Sequence, residues 1–333
     1  MANCHDLFLS FHDRVELTDA QRKNHLVSAR NGIETKVKKY FREDLEVAEP
    51  TFRTQGSFAM DTVVNPARED GEYDIDDGVY LSNLQDDKEE WPTPEVVHSW
   101  VLAAVKGHTD EEPVDKRTCV RVRYASDRYH ADLPIYAEHN GEPYLAEKGV
   151  AGWHVSDAQA FTKWFKEAVK QRGAQLARMV RYLKAWADHQ SKDDELPSGS
   201  ILTTLAVQGF EGSDRDDASF AGTAKRMLDR LAISLDVTNP VDPSEDFARG
   251  DRKTLMRRLK TKLADLSASA LSAMEAANKE VACEAWRKEF GDRFPSCGAE
   301  DDDAPNKAVA ERTSSARVAE PLVITSPSKP WSE

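Results

Sequence analysis

Residues 55–77 read QGSFAMDTVVNPAREDGEYDIDD, and two short motifs within this stretch decide the interpretation of the whole chain. They are Gln55-Gly56-Ser57 at its start and Asp74-Ile75-Asp76-Asp77 at its end. Alternate side chains of a β-strand share a face, so Asp74 and Asp76 are expected to point the same way. Two carboxylates this close repel each other unless a cation lies between them. Magnesium suits such a pair because it prefers oxygen ligands and keeps coordination positions open for phosphate oxygens.

The first motif has the chemistry of a phosphate-binding turn. Residues 58–60 are expected to form the first turn of a helix, which offers backbone N–H groups and a positive dipole end to a phosphate. Ser57 can add a hydroxyl hydrogen bond, and Gly56 lets the phosphate approach the backbone. Taken singly, each motif is also compatible with an ordinary turn or a solvated strand end.

A third acidic residue, Asp132, lies in the otherwise apolar run HADLPIY of residues 130–136. An unpaired aspartate would be costly to bury in such a strand. We therefore expect Asp132 to lie beside Asp74 and Asp76 on a neighbouring strand and to share their metal ions. His130 would share the face of Asp132, but nothing in the sequence makes it a ligand.

Composition excludes several classes of protein. The chain has 333 residues, of which 40% are apolar and 31% charged, and its net charge is −14. These values exclude a wholly disordered chain, and the acidic balance argues against a broad surface for long nucleic acid. No apolar run reaches the about 18 residues that span a membrane, and residues 1–14 lack the apolar core of a secretory signal. We expect a cytoplasmic protein whose four well-separated cysteines are reduced thiols.

Periodicity divides the chain into two lobes and a tail. A capping box at Thr18 predicts one long helix over about 18–42, and short strands follow from 51 to 145, with a helix over about 94–106 and an Asn140-Gly141 hairpin turn. A second capping box, Ser156-x-x-Gln159, opens a helical region. Its predicted helices cover about 156–172, 175–190, 199–210, 222–235 and 251–290. We expect a mixed α/β lobe with the long N-terminal helix over 1–150, a helical lobe over 151–297 and a flexible tail over 298–333.

In combination, residues 55–57, 74–80 and 132–136 resemble the motifs of the DNA polymerase β-type nucleotidyltransferases. The chain is most similar to the bacterial cGAS/DncV-like nucleotidyltransferases (CD-NTases), nearest the branch with the bacterial cyclic GMP-AMP synthase. The resemblance spans most of residues 15–295. It implies an α+β fold in which a polymerase β-like mixed sheet packs against a helical C-terminal lobe, with the active site in the cleft between them.

The helical lobe adds two matches to this family. Residues 181–186, RYLKAW, resemble the family helix whose lysine contacts the triphosphate, which would be Lys184 here. Residues 196–199, LPSG, resemble the next turn, in which Ser198 would reach the phosphates and Ser200 competes for that role. A solvated helix lysine and a plain helix N-cap are the simpler alternatives for Lys184 and Ser198. Residues 239–243, NPVDP, also resemble a family loop.

The resemblance implies a metal-dependent synthesis of a cyclic di- or oligonucleotide from ATP, GTP or other nucleoside triphosphates. Asp74, Asp76 and Asp132 would be catalytic and would hold two Mg²⁺ ions, for which Mn²⁺ is an alternative. Gln55, Gly56, Ser57, Lys184 and Ser198 would bind the triphosphate. The product would be a second messenger of anti-phage (CBASS) defence, sensed by a separate effector protein, and some family members have regulatory partner proteins. The alternatives are an enzyme of the same fold acting on RNA or protein, and a non-catalytic nucleotide-binding regulator.

Overall fold

One mixed sheet of seven strands carries the acidic motifs in the computed structural model, which describes residues 2–17, 25–67, 73–124, 129–191 and 195–297. The strands are β1 (Thr51–Gln55), β2 (Tyr73–Leu81), β3 (Val114–Asp115), β4 (Cys119–Tyr124), β5 (Tyr129–His139), β6 (Glu142–Glu147) and β7 (Gly152–Val155). The central order is β1-β2-β5-β4-β3, and β6 pairs with both β5 and β7. The predicted Asn140-Gly141 turn joins β5 to β6, and both of its residues have positive φ, as such a hairpin requires.

Strand register brings the acidic motifs together. β2 and β5 run parallel, and their pairing sets Asp76 opposite Asp132 and Asp74 opposite His130. β1 is antiparallel to β2 and sets Gln55 opposite Asp76. The expectation that Asp132 lies on a strand next to the Asp74–Asp77 motif is therefore confirmed.

Ten helices surround the sheet or pack beside it in the described ranges. They are α1 (His5–Val15), α2 (Val27–Glu43), α3 (Gly56–Ala59), α4 (Pro94–Val105), α5 (Ala158–Arg172), α6 (Ala174–Gln190), α7 (Gly199–Gly209), α8 (Asp216–Ile233), α9 (Arg252–Glu275) and α10 (Lys279–Phe290). The predicted long helix corresponds to α2, whose residues at four-residue spacing, Ala29, Ile33, Val37 and Phe41, are buried. Its predicted start at residues 18–24 lies outside the described residues. The predicted capping box at Ser156 is wrong, because the side chain of Asp157 accepts the hydrogen bond from the Ala160 N–H instead.

Two apolar cores support this arrangement. One lies between the sheet and helices α2 and α4, and the other lies among α1 and helices α5–α10. Helix α1 was not predicted, and it joins the second core through Phe8, whose ring lies 5.2 Å from that of Tyr182 and 4.9 Å from that of Trp286. The division at residue 150 stays a prediction, and the predicted tail 298–333 lies outside the described residues.

The expectation of four reduced thiols is wrong for one pair, since Cys283 and Cys297 form a disulfide. The chain reverses at Gly291 after α10, and this reversal brings Cys297 back beside the helix, with the two Cα atoms 5.7 Å apart. Sequence spacing alone does not reveal such a reversal. None of the helices in the described ranges has the length and apolar character needed to cross a membrane.

Candidate active site

The carboxylates of the sheet form a cluster at one end of a cleft. Asp74, His130 and Asp132 each present a ligand atom, and these atoms lie within 4.8 Å of one another. Nε2 of the buried His130 is 3.2 Å from Oδ1 of Asp74, whose side chain is 47% exposed. His130 was not predicted to be a ligand, but the β2–β5 register places it directly against Asp74.

Asp76 is the member of the cluster that ionises least easily. Burial raises its pKa well above the usual 3.8, and the charges of Asp74 and Asp132 raise it further. Lys184 and Arg121 act in the opposite direction but do not outweigh these effects. A cation would relieve the repulsion that raises the pKa of Asp76.

Asp132 has a cationic partner that the sequence analysis did not identify. Arg121, its cross-strand neighbour on β4, donates from Nε and Nη2 to the two carboxylate oxygens at 2.6 Å each. Burial alone would raise the pKa of Asp132, but the hydrogen bonds and charge of Arg121 outweigh it and hold the pKa below its ordinary value. The alternation of residues 120–124 already indicated a strand, yet only the β4–β5 register shows what Arg121 faces.

The Gly-Ser turn lies against the same carboxylates. Gly56 has a φ of +64° and begins the single-turn helix α3. A Cβ at this position would overlap the carboxylate of Asp76, with its Cγ only 2.9 Å away, so no residue but glycine fits. The buried Gln55 donates from its amide to the hydroxyl of Tyr136 at 3.1 Å. Gly56 was expected to let a phosphate approach the backbone. In the structure, the Asp76 carboxylate lies against the backbone at this position.

Lys184 projects from α6 into the same cleft as Asp74 and Asp76. Its Nζ donates to the carbonyl oxygen of Thr62 at 3.2 Å and to the hydroxyl of Thr62 at 3.0 Å. Burial lowers its pKa to about 8, although Asp76 and Asp74 act in the other direction. It is therefore not a solvated helix lysine. Nearby, Ser198 is at the N-cap position of α7, and its hydroxyl lies 2.9 Å from that of Ser200 instead of capping the helix.

One cleft has a volume of about 410 Å³, and its lining does not include Asp132, which lies opposite Asp76 on β5. It brings together Asp74 and Asp76 with all five residues predicted to bind a triphosphate, namely Gln55, Gly56, Ser57, Lys184 and Ser198. The remaining lining includes Phe161 and Phe247, whose rings lie 5.8 Å apart, and Asn239, which donates to Glu245 at 2.8 Å. A loop resembling one of the family was predicted at 239–243 without an assigned role. Its first residue, Asn239, lines the cleft.

Comparison with known proteins identifies proteins that are similar to this chain. Residues 50–136 match the family described as "Cyclic GMP-AMP synthase DncV-like, nucleotidyltransferase domain". A cyclic GMP-AMP synthase from Escherichia coli (strain TW11681) is 27% identical over 312 residues, covering 76% of this chain and 69% of that protein.

Two solved structures share the fold. Vibrio cholerae DncV cyclic AMP-GMP synthase, in complex with the linear intermediate 5′ pppA(3′,5′)pG, superimposes with a TM-score of 0.76 at 22% identity, covering 89% of this chain and 98% of the other. Escherichia coli DncV in its 3′-deoxy GTP bound form gives a TM-score of 0.71 at 20% identity, covering 84% and 93%.

The polymerase β-like α+β fold and the matched domain define an enzyme class, the nucleotidyltransferases. Within that class, residues 50–136 match a DncV-like nucleotidyltransferase domain, and the chain is similar to bacterial cyclic GMP-AMP synthases.

Proposed function

We propose that this chain joins nucleoside triphosphates into a cyclic di- or oligonucleotide and releases pyrophosphate. One observation carries the proposal: two carboxylates, Asp74 and Asp76, and the ammonium group of Lys184 belong to the lining of a single cleft. A phosphoryl transfer to a ribose hydroxyl needs both, because one end must accept cations and the other must hold a triphosphate.

The carboxylate cluster fits a divalent cation. Asp76 has a raised pKa because of its burial and of Asp74 and Asp132, and the donor set is mainly oxygen, which suits Mg²⁺ or Mn²⁺. Asp74, Asp76 and Asp132 would hold the metal, and His130 offers a further ligand atom beside Asp74. When bound, such ions lower the pKa of an attacking hydroxyl and stabilise charge on a leaving pyrophosphate.

Lys184 and the hydroxyl groups near it would bind and orient the triphosphate. Lys184 supplies a positive charge inside the cleft, and the hydroxyls of Ser198 and Ser200 supply neutral donors beside it. Ser57 lines the same cleft and follows Gly56, whose backbone lies against the Asp76 carboxylate. The α-phosphate would then lie between these groups and the carboxylates, where a 3′- or 2′-hydroxyl of a second nucleotide can attack it.

The remainder of the cleft suits a nucleobase. Phe161 and Phe247 present apolar rings, and the amide of Asn239 holds the Glu245 carboxylate in one orientation. An aromatic surface with a few fixed polar groups is the usual form of a base pocket. We propose ATP and GTP as substrates because the similar synthases act on or bind them by name.

A second attack within the linear product would close the ring. We propose that the cyclic product is a second messenger of anti-phage (CBASS) signalling that a separate effector protein senses. Synthesis on RNA ends is the main alternative, and the net charge of −14 counts against it because RNA is itself a polyanion.

Labelled ATP and GTP, incubated with the pure protein and Mg²⁺, test this function. The expected result is a small labelled product that resists phosphatase and does not form when EDTA replaces Mg²⁺. Labelled RNA ends, labelled protein, or only phosphatase-sensitive material would contradict the proposal.

A further inference from the structure

The loop Asp61–Ala67, which leads from the Gly-Ser turn toward β2, is bound along one face of α6. Three residues of that helix at i, i+3 and i+7 spacing each contact it. Arg181 donates to the carbonyl oxygen of Asp61 at 2.5 Å, Lys184 donates to Thr62, and Asp188 accepts from the Ala67 N–H at 2.6 Å. Thr62 in turn donates its N–H to the carbonyl oxygen of Ser57 at 2.9 Å. The loop thus connects Lys184 mechanically to the Gly-Ser turn.

A residue from the far end of the described chain completes this contact. Arg293 donates from Nη1 to the carbonyl oxygen of Asn65 and from Nη2 to that of Ala185, at 2.6 Å each. Its Nη2 also lies 3.2 Å from the carboxylate of Asp188. One guanidinium therefore joins the loop to the helix at the residue next to Lys184, with the planar geometry and charge-assisted bonds that arginine provides.

The segment that carries Arg293 is itself firmly held. A Cβ at Gly291 would overlap the ring of His189, so the turn packs directly on α6. Phe294 is fully buried, and Arg287 donates to its carbonyl oxygen at 2.9 Å. The disulfide to Cys297 fastens the segment three residues further on. Arg293 is therefore presented by a rigid support and not by a free chain end.

We propose that Arg293 is a positioning residue for triphosphate binding. It fixes the loop Asp61–Ala67 against α6, and so keeps Thr62 and Lys184 in register with the Gly-Ser turn. Asn65, whose carbonyl oxygen Arg293 binds, also joins other parts of the chain. Its side-chain amide donates to the carbonyl oxygens of Arg14 and Glu16, and its Oδ1 accepts from the Tyr73 hydroxyl. Arg293 thus acts on a junction that also reaches β2, one residue before Asp74. The role in binding rests on the proposed function, whereas the mechanical role does not.

Arg293→Gln tests the proposal, with Arg287→Gln as the matched control. Arg287 holds the same segment through Phe294 and Asp292, and both of these contacts lie in that segment and not in the loop. Two properties are measured in each variant, namely hydrogen exchange of the Ala67 amide and the Kd of a non-hydrolysable nucleoside triphosphate. We expect R293Q to speed exchange at Ala67 and to weaken binding about tenfold, whereas R287Q lowers the melting temperature without either change.

Arg293→Lys extends the comparison and replaces R293Q as the test variant if R293Q does not fold. Lysine keeps the charge but cannot donate to both carbonyls in the geometry of the guanidinium, so its effects should be in the same direction but smaller. Unchanged exchange at Ala67 in R293Q, or an equal effect in R287Q, would overturn the positioning role. Faster exchange with unchanged triphosphate Kd would restrict Arg293 to holding the loop and would contradict its role in binding. Failure of the proposed function would leave the exchange result standing.

Discussion

Asp76 and Asp77 are neighbours on β2, and both have raised pKa values, yet they face opposite sides of the sheet. Burial raises the pKa of Asp77 to about 7, and Arg30 and Thr54 on the α2 side oppose the rise. The Thr54 hydroxyl donates to Asp77 at 3.2 Å, and Arg30 lies 3.9 Å from its carboxylate. The pKa of Asp76 is raised by burial and also by the charges of the neighbouring carboxylates of Asp74 and Asp132. A raised pKa therefore does not by itself mark a catalytic group.

What separates the two residues is the source of the compensating charge. Arg30 opposes the rise in the pKa of Asp77 from within the protein, although it also pairs with Glu34 at 2.8 Å. On the cleft side, Arg121 is engaged with Asp132 and Lys184 is bonded to Thr62, while Asp74 and Asp76 still crowd together. The cleft side has an excess of negative charge that a cation from solution can balance.

The largest effect should come from asparagine substitutions in the cleft. We expect Asp76→Asn and Asp132→Asn to lose at least about a hundredfold in product formation, because metal-assisted charge stabilisation accounts for several kcal/mol. Asp77→Asn is the matched control, since it changes the same kind of group on the other face and should retain most activity. The rate of cyclic product formation is measured for all three. Equal losses in the rate of product formation in D76N and D77N would contradict the distinction between the cleft face and the α2 face of β2.

Apo stability gives the next comparison, through its dependence on pH. The folded-state pKa of Asp76 is raised, so the folded protein retains a proton that the unfolded chain releases above about pH 3.8. The contribution of Asp76 to stability is therefore fully present below that pH and is lost as pH rises through the folded-state pKa. D76N without metal should melt a few degrees above wild type at neutral pH and show no advantage in acid. A lower melting temperature for D76N at neutral pH would contradict the charge crowding.

Lys184 should give a smaller effect, visible in triphosphate binding. Because its pKa is lowered to about 8, the ammonium group is lost as pH rises beyond that value. The wild-type Kd for a non-hydrolysable triphosphate should rise several-fold per pH unit above about pH 8. Lys184→Ala should bind more weakly at neutral pH and lose this dependence. An identical pH profile in both proteins would mean that Lys184 does not contact the triphosphate.

The smallest effects concern the serine pair at the start of α7. The hydroxyls of Ser198 and Ser200 are 2.9 Å apart, so either can replace the other as a donor. Each alanine substitution alone should raise the KM for the triphosphate only a few-fold, in line with about 1 kcal/mol per hydrogen bond, and the double variant should exceed the sum. A double variant with wild-type KM would exclude both hydroxyls from binding.

The sequence predicted those features that depend on residues close to one another along the chain. Alternation in β2 put Asp74 and Asp76 on one face, the apolar strand around Asp132 predicted its neighbours, and four-residue spacing predicted α2. Helix boundaries were less certain: the predicted 251–290 segment is two helices, since the side chain of Asn278 accepts from the Val281 N–H and begins α10. Lys184 and Ser198 needed the family resemblance, because a single lysine or serine on a helix carries no distinguishing pattern.

Contacts between distant parts of the chain could not be predicted in this way. The packing of α1 depends on Phe8 meeting Trp286, and the partner of Asp132 depends on the β4–β5 register. Arg293 reaches Asn65 across 228 positions, and the disulfide of Cys297 needs the reversal at Gly291. Such contacts follow from tertiary packing, which one sequence does not specify residue by residue.

Direct measurement of cation binding tests the central claim, that the cleft face of β2 takes a divalent ion while the α2 face carries its own charge. Calorimetric titration of Mg²⁺ or Mn²⁺, with a non-hydrolysable triphosphate present, is carried out on wild type, D76N and D77N. We predict binding by wild type and D77N with similar affinity, and a loss of at least about tenfold in D76N. Equal affinity in D76N and wild type, or a loss in D77N as large as that in D76N, would contradict the account.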